Sequence, residues 1–367
     1  MPPVKISDSI VIEPGDCLDV LPTMDPESVD AIITDPPYGL SFMGKDWDHG
    51  IPGPAFWQAA LRVAKPGAHL LAFGGTRTHH RLMCAIEDAG WEIRDCIMWV
   101  YASGFPKSLD VGKAIDKAAG AEREVMGPSP HSANRKPKID GVYHDMNVEA
   151  QRTVTAPATP DAAKWNGWGT ALKPAYEPIV LARKPIQGTV AANVLQHGTG
   201  AINVDGGRIG TSSTPRKDPR NGKLRKAHME ISPWMKRRIE TGEPLKKDFD
   251  GTQGRWPANF IHDGSDEVLE GFPTDAARYF YCAKTSVSER DDADHPTIKP
   301  VALMRYLVRL ITPPGGLVLD PFMGSGSTAI AAYEEGTRFH GVEMDPDNFN
   351  EARRRINDAT RQMLFAF

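Results

Sequence analysis

Cysteine is scarce. The 367 residues hold four (Cys17, Cys84, Cys96 and Cys282), far apart and never in CxxC spacing. That excludes a disulfide framework and argues against a zinc ribbon. No stretch approaches the ~18 uninterrupted apolar residues of a membrane span, so no membrane partner is expected. The opening MPPVKISDSIVIEPGD has no basic segment followed by an apolar one, so no signal peptide is expected, and a reducing cytoplasm is the expected compartment. Positive charge is not in excess either. The formal net charge is −4, so any contact with nucleic acid must use a local basic patch. The composition is otherwise ordinary, with 40% apolar and 25% charged residues. Glycine and proline reach about 18%, short of the ~25–30% of disordered chains, which predicts extra loops but not wholesale disorder.

Strand and helix signals alternate in the N-terminal part. VDAIIT (29–34) reads as a buried strand ending in the turn DPPYG. AFWQAALRVA (55–64) has helical spacing and stops before Lys65-Pro66-Gly67, and AHLLAF (68–73) is a second apolar strand. Residues 76–90 read as a helix, 91–101 as a strand, and AYEPIVLAR (175–183) as another strand. From about 120 to 170 the pattern breaks into polar, Pro-rich loops. At the other end, 302–312 is an amphipathic helix and GLVLD (316–320) a strand. PFMGSG is a turn, 327–336 a helix, 338–345 a strand and 346–364 a helix opening on proline.

Two parallel strands at the C-terminal end cannot form a stable sheet by themselves. Their neighbours must come from the N-terminal half. The expectation is a doubly wound, mostly parallel α/β sheet in circularly permuted order with an inserted lobe. The expected segments are 1–120 and 291–367 as two halves of one domain, 121–170 as a loop-rich insert, 171–184 as a returning strand, and 185–290 as a recognition region.

The segment LVLDPFMGSGSTAIAAYEEGTRFHGVE (317–343) runs strand, glycine turn, helix, strand, and closes on Glu343. An acid at the end of the second strand can take both ribose hydroxyls of a nucleoside. No Lys follows the glycines, so this is not a P-loop, and Gly324-Ser325-Gly326 is not GxGxxG. Asp320 would repel a pyrophosphate and favour a cation. S-adenosylmethionine has the adenosine, the positive charge and the single carboxylate that fit. Thr34-Asp35-Pro36-Pro37-Tyr38-Gly39 also follows a strand. Its prolines remove N–H donors and leave acceptors. The Asp35 carboxylate and Pro36 carbonyl can both accept from one exocyclic NH₂, and Tyr38 offers a flat face to a base.

DPPY together with DPFMGSGST resembles the amino-methyltransferases that modify exocyclic amines of DNA bases, in the permuted class called β. GDCL (15–18), HPTIKP (295–300) and GFPKSLDVGKAID (104–116) extend the resemblance. It covers roughly the first 120 and last 75 residues. It implies S-adenosylmethionine as cofactor, no metal, and double-stranded DNA as partner in a bacterial or phage-infected cell. It also admits a homodimer and a cognate restriction endonuclease. Asp35, Pro36, Pro37 and Tyr38 would form the catalytic motif. Asp320, Phe322, Gly324, Ser325 and Gly326 would hold the methionine end of the cofactor, and Glu343 its ribose. Asp16 and Cys17 would meet the adenine, and Thr297 and Lys299 would lie near the methionine carboxylate.

Between Asp205 and Arg255 there are 13 Lys/Arg against 7 Asp/Glu. Arg216, Lys217, Arg225, Lys226, Lys236, Arg237 and Arg238 are the expected phosphate contacts, and Arg255 and Trp256 the expected base or stacking contacts. Cys84, at apolar helical spacing, is expected in the core, as are Trp91 and Trp99. His79-His80 is not expected to bind metal. No cysteine follows a proline, which argues against methylation at cytosine C5. Asp before Pro-Pro leans toward adenine N6. Cytosine N4, RNA, and an inactive DNA-binding protein remain as alternatives.

Overall fold

The computed structural model describes residues 2–39, 50–104, 108–128, 153–209, 254–272, 276–283 and 298–364. Two compact units emerge, Met1–Ala102 with Tyr176–Phe367, and Ser103–Ala175.

The larger unit is built on strands β1 (Val4–Lys5), β2 (Ile10–Pro14), β3 (Val29–Thr34), β4 (Ala64–Phe73) and β5 (Glu92–Val100). The smaller unit contributes β6 (Val125–Pro128) and β7 (Thr153–Thr155), an antiparallel pair. The chain then returns with β8 (Tyr176–Arg183), β9 (Phe260–His262), β10 (Tyr281–Cys282), β11 (Leu317–Asp320) and β12 (Arg338–Glu343). Helices α1 (Cys17–Val20), α2 (Pro54–Val63) and α3 (His79–Asp88) come first. The smaller unit holds α4 (Val111–Ala118) and α5 (Pro160–Lys164). They are followed by α6 (Val190–His197), α7 (Asp266–Glu270), α8 (Val301–Ile311), α9 (Ser327–Glu334) and α10 (Pro346–Leu364).

Ten strands form one sheet in the order β1-β2-β12-β11-β3-β4-β8-β5-β9-β10. β2, β12, β11, β3 and β4 are mutually parallel, and β8 runs antiparallel between β4 and β5. Strands from the two ends of the chain therefore sit side by side, as strand counting required. From β3 the chain steps one way to β4, and from β11 it steps the other way to β12. The crevice between β3 and β11 is thus a topological switch point, where α/β sheets bind ligands at the carboxyl ends of their strands.

Period-2 alternation builds two cores. In β4, Leu71 and Phe73 join the core shared with α8, α9 and α10. Leu70 and Ala72 point to the opposite core, filled by Trp57 and Val63 of α2 and Leu82 and Ile86 of α3. The expected elements at both ends of the chain are present. β4 opens at Ala64 rather than 68, because Ala64 already pairs with Val29 and Gly67 absorbs the kink at φ +80°. Trp91 and Trp99 are buried as expected. Cys84 corrects the expectation, since it is exposed. The buried stripe of α3 is Leu82, Ala85 and Ile86, and Cys84 falls beside it. The short β1, β2, β9 and β10 escape a periodicity reading because each has only two to five residues. No helix among the described residues is long and apolar enough to cross a membrane.

Asn193 locks α6 under the amino edge of the sheet. Its Nδ2 donates to the carbonyls of Pro66 (2.9 Å) and Thr199 (2.8 Å), and its Oδ1 accepts from the Gln187 amide (2.9 Å). A Cβ on Gly67 would lie 2.4 Å from that Nδ2, so the close approach also requires glycine there. Asn193→Ala takes the partner from the Thr199 carbonyl and the Gln187 amide, while the Pro66 carbonyl keeps the Thr199 hydroxyl (2.6 Å), and it is expected to cost about 1–3 kcal/mol in urea unfolding. Leu195→Ala, on the same helix but 89% exposed, is expected to stay within about 0.5 kcal/mol of wild type.

Candidate active site

Acids stand along the carboxyl edge of the sheet, among them Asp16 after β2, Asp35 after β3, Glu177 in β8, Asp320 ending β11 and Glu343 ending β12. The sheet order sets their spacing.

Asp320 is 2% exposed. Its Oδ1 accepts from the Thr34 hydroxyl (2.7 Å) and the Phe322 amide (3.2 Å), and its Oδ2 from the Thr328 hydroxyl (2.6 Å). Burial raises its pKa to about 7. The three hydrogen bonds only partly offset this, and Asp35 adds to it. The carboxylate thereby ties together the end of β3, the end of β11 and the first turn of α9.

The turn after Asp320 depends on its glycines. Gly326 has φ +80°, and a Cβ there would meet Ile356 of α10 at 3.0 Å. The Gly324 amide donates to Glu343 Oε2 (2.8 Å), and the Asp345 amide to Glu343 Oε1 (2.8 Å). Burial raises the Glu343 pKa, with these amides pulling the other way. The carbonyl of the buried Ser325 accepts from Arg355. Ser327 Oγ is buried at the start of α9 and has no hydrogen-bond partner among the described residues. Phe322 packs 5.8 Å from Phe56 and 6.4 Å from Trp57. Asp16 caps α1 by accepting from the Leu18 amide (2.8 Å), and the Gly15 amide reaches the Glu343 carbonyl (3.0 Å). Asp16, Cys17 and Glu343 are thus drawn to one place. Burial, reinforced by Asp16, pushes the Cys17 thiol to about 12, so it stays protonated.

On the other side of the crevice, Asp35 Oδ1 accepts from the Tyr38 hydroxyl (2.7 Å) and Oδ2 from Lys299 Nζ (2.5 Å). Pro36 is buried. The Thr78 hydroxyl, just before α3, holds the Tyr38 carbonyl (2.7 Å). Glu177 Oε2 lies 3.3 Å from Lys299 Nζ and 3.1 Å from the Tyr38 hydroxyl, and Oε1 accepts from Tyr101 (3.2 Å). Lys299 is 7% exposed, and its ammonium also lies 5.0 Å from the Phe73 ring centroid. Burial works against that ammonium, but Asp35 and Glu177 outweigh it and hold the pKa above the ordinary lysine value. Burial and the same two carboxylates push the Tyr38 phenol well above its usual value.

The structure therefore brings Asp35, Pro36 and Tyr38 together with Lys299, and the 320–326 turn together with Glu343 and Asp16. The resemblance puts Lys299 near a methionine carboxylate, and in the structure its ammonium meets Asp35 and Glu177. Thr297, Arg216, Lys217, Arg225, Lys226, Lys236, Arg237 and Arg238 lie outside the described residues. Arg255 pairs with Ile209 across the two sides of the 210–253 segment. Trp256 is 67% exposed under the Arg208 guanidinium (5.5 Å). Both precede β9, so they approach the amino end of that strand rather than the acidic edge.

Sequence reasoning missed Thr34, Thr328, Glu177, Tyr101 and Arg208. One signal for Glu177 was available, an acid placed just before the apolar run of the strand YEPIVLAR.

Residues 29–354 match a family model described as DNA methylase. A type II methyltransferase of Haemophilus influenzae, M.HindIII, is 24% identical over 91% of this chain and 90% of its own length. M.BglI of Bacillus subtilis is 46% identical over 16% of this chain and 17% of its own. Among solved structures, M1.HpyAVI in complex with SAM aligns over 95% of this chain and 99% of its own, at 17% identity and a TM-score of 0.44.

The Asp320 shift fixes a pH dependence. Its unfolded carboxyl titrates near the ordinary aspartate value of 3.8 and its folded one at about 7, so between them the folded chain holds a proton that the unfolded chain has lost. Stability contributed by this group is present below the lower value and declines as pH rises to the upper one. Asp320→Asn is expected to gain in thermal midpoint relative to wild type as pH is raised from about 4 to about 7. A difference that stays constant across that range in paired melting curves would contradict the buried carboxyl.

Proposed function

Because the chain belongs to the DNA methylase family, we propose that it transfers a methyl group from S-adenosylmethionine to the exocyclic N6 of an adenine flipped out of DNA. The observation that carries the reading is the Asp35-Pro36-Pro37-Tyr38 loop set across a crevice from the Asp320–Gly326 turn and Glu343.

The donor set suits the cofactor. Glu343 has unused lone pairs for ribose hydroxyls, and Asp16 lies beside it for the adenine amine. Ser327 Oγ offers an unspent hydrogen bond at the head of α9. Phe322 supplies an apolar wall, and the buried acids suit a cationic ligand. When bound, the cofactor supplies an electrophilic methyl carbon on sulfur.

The remaining work belongs to this chain's side chains. An exocyclic base amine is a poor nucleophile because its lone pair is delocalised into the ring. Extruding the base costs a few kcal/mol, least where pairing is weak. Stacking on Tyr38 recovers about 1–3 kcal/mol. The Asp35 carboxylate and the Pro36 carbonyl accept the two N–H bonds, which draws the nitrogen toward sp³ geometry and directs its lone pair. Pro36 and Pro37 have no N–H to compete for those acceptors. Positioning supplies most of the rate, and the Asp35 charge stabilises the positive charge growing on nitrogen. Tyr38 now donates to Asp35, so an entering amine replaces one hydrogen bond with another. Asp rather than Ser at position 35 supports adenine over cytosine through the family resemblance.

The test is nucleoside mass spectrometry on DNA from a methylation-free bacterial host expressing the chain. N6-methyladenine is expected with wild type and is expected to vanish with Asp35→Ala, while cofactor affinity survives. N4-methylcytosine would overturn the choice of base, and a wild-type level of product from Asp35→Ala would overturn the mechanism. Glu343→Ala is expected to weaken cofactor binding by about 10- to 100-fold in a titration, the equivalent of one or two charged hydrogen bonds. Unchanged affinity would remove the ribose assignment.

A further inference from the structure

We propose that Glu177 is a positioning residue for methyl transfer, which shares the Lys299 ammonium and the Tyr38 proton with Asp35 and so leaves the amine pocket one unit of negative charge. The proposal rests on the methyl-transfer reading above.

With Lys299 and Asp35 alone, the pocket would hold a neutral ion pair. The Asp35 charge would be spent on the ammonium 2.5 Å away. Glu177 changes that balance, because its Oε2 lies 3.3 Å from the same nitrogen. Two carboxylates then face one ammonium. The pocket is largely buried, with side-chain exposures of 9% for Lys299 and 19% for Glu177, so the surplus charge is weakly screened.

The hydroxyl of Tyr38 adds a second constraint. It lies 2.7 Å from Asp35 Oδ1 and 3.1 Å from Glu177 Oε2, yet it has one proton and can donate to one of them at a time. Both donors that now cover Asp35 therefore have a second acceptor within reach. When they turn to Glu177, Asp35 is released to receive the substrate N–H. Glu177 is itself held in place. Its Oε1 accepts from Tyr101 (3.2 Å), whose ring packs 4.9 Å from Trp99, the residue paired with Glu177 in the β5–β8 ladder.

Charge matters at this point in the reaction. The amine lone pair forms the new N–C bond as the S–C bond breaks, with that electron pair staying on sulfur. Positive charge moves from sulfur to nitrogen and leaves as a proton to water. A pocket that keeps one net negative charge favours that transfer over a neutral one.

Glu177→Gln separates charge from packing, because the amide oxygen can still accept from Tyr101 or Tyr38. Transfer from tritiated S-adenosylmethionine to unmethylated bacterial genomic DNA is the assay. Glu177→Gln is expected to lower kcat on the order of 10- to 100-fold, with cofactor affinity within about twofold of wild type. Glu177→Asp is expected to restore part of the loss. Tyr101→Phe, which only loosens Glu177, is expected to lower kcat by about 3- to 10-fold, and it decides the matter if Glu177→Gln melts too low to assay. Wild-type turnover in Glu177→Gln, or a loss confined to cofactor affinity, would overturn the proposal. Failure of the wild-type chain to methylate any DNA would instead overturn the parent reading, and this proposal with it.

Discussion

The hydroxyls of Thr34 and Thr328 hold the carboxylate of Asp320, and much of the site depends on that contact. Thr34 and Asp320 are 286 positions apart in the chain and 2.7 Å apart in space. The bond fastens the last residue of β3 to the last residue of β11, one strand from each end of the chain. The loop carrying Asp35 and Tyr38 then begins beside the turn carrying Gly324 and Gly326. Burying an acid is costly unless its oxygens are satisfied. Three donors do this here, and the remaining cost appears as a pKa raised to about 7.

Charge along the carboxyl edge is uneven. Asp16, Asp35, Glu177, Asp320 and Glu343 lie there, and Lys299 is the buried ammonium among them. An acidic crevice suits a cationic cofactor and a nitrogen that becomes positive, but it repels a polyanion. In the proposed reading, the neutral base enters this edge while phosphates are met by the basic residues of 216–247. The net charge of −4 is compatible with DNA binding only through such a division.

Legibility in the sequence followed the range of the interactions. The strand at 29–34 is read from its apolar run and the helix at 302–312 from its amphipathic spacing, because burial is written into neighbouring residues. The glycine turn and the DPPY loop are read from motifs because their backbone demands are local. Permutation could be inferred by counting strands, since two strands cannot close a sheet. Cys84 misled because three-residue spacing cannot resolve the edge of a buried stripe from its centre. β9 and β10 were invisible because strands of two or three residues carry no period.

The sequence by itself determined that the sheet draws on both ends of the chain, and which acids and glycines follow its strands. Those features depend on the residue types at consecutive positions. Only the tertiary structure decided their partners. It set Lys299 on Asp35, and it brought Glu177 and Tyr101 beside them. Those contacts arise where β8 runs antiparallel between β4 and β5, a pairing of distant segments chosen by packing and ladder register. An acid just before an apolar run reveals that it needs a partner, but only the fold identifies which ammonium it meets.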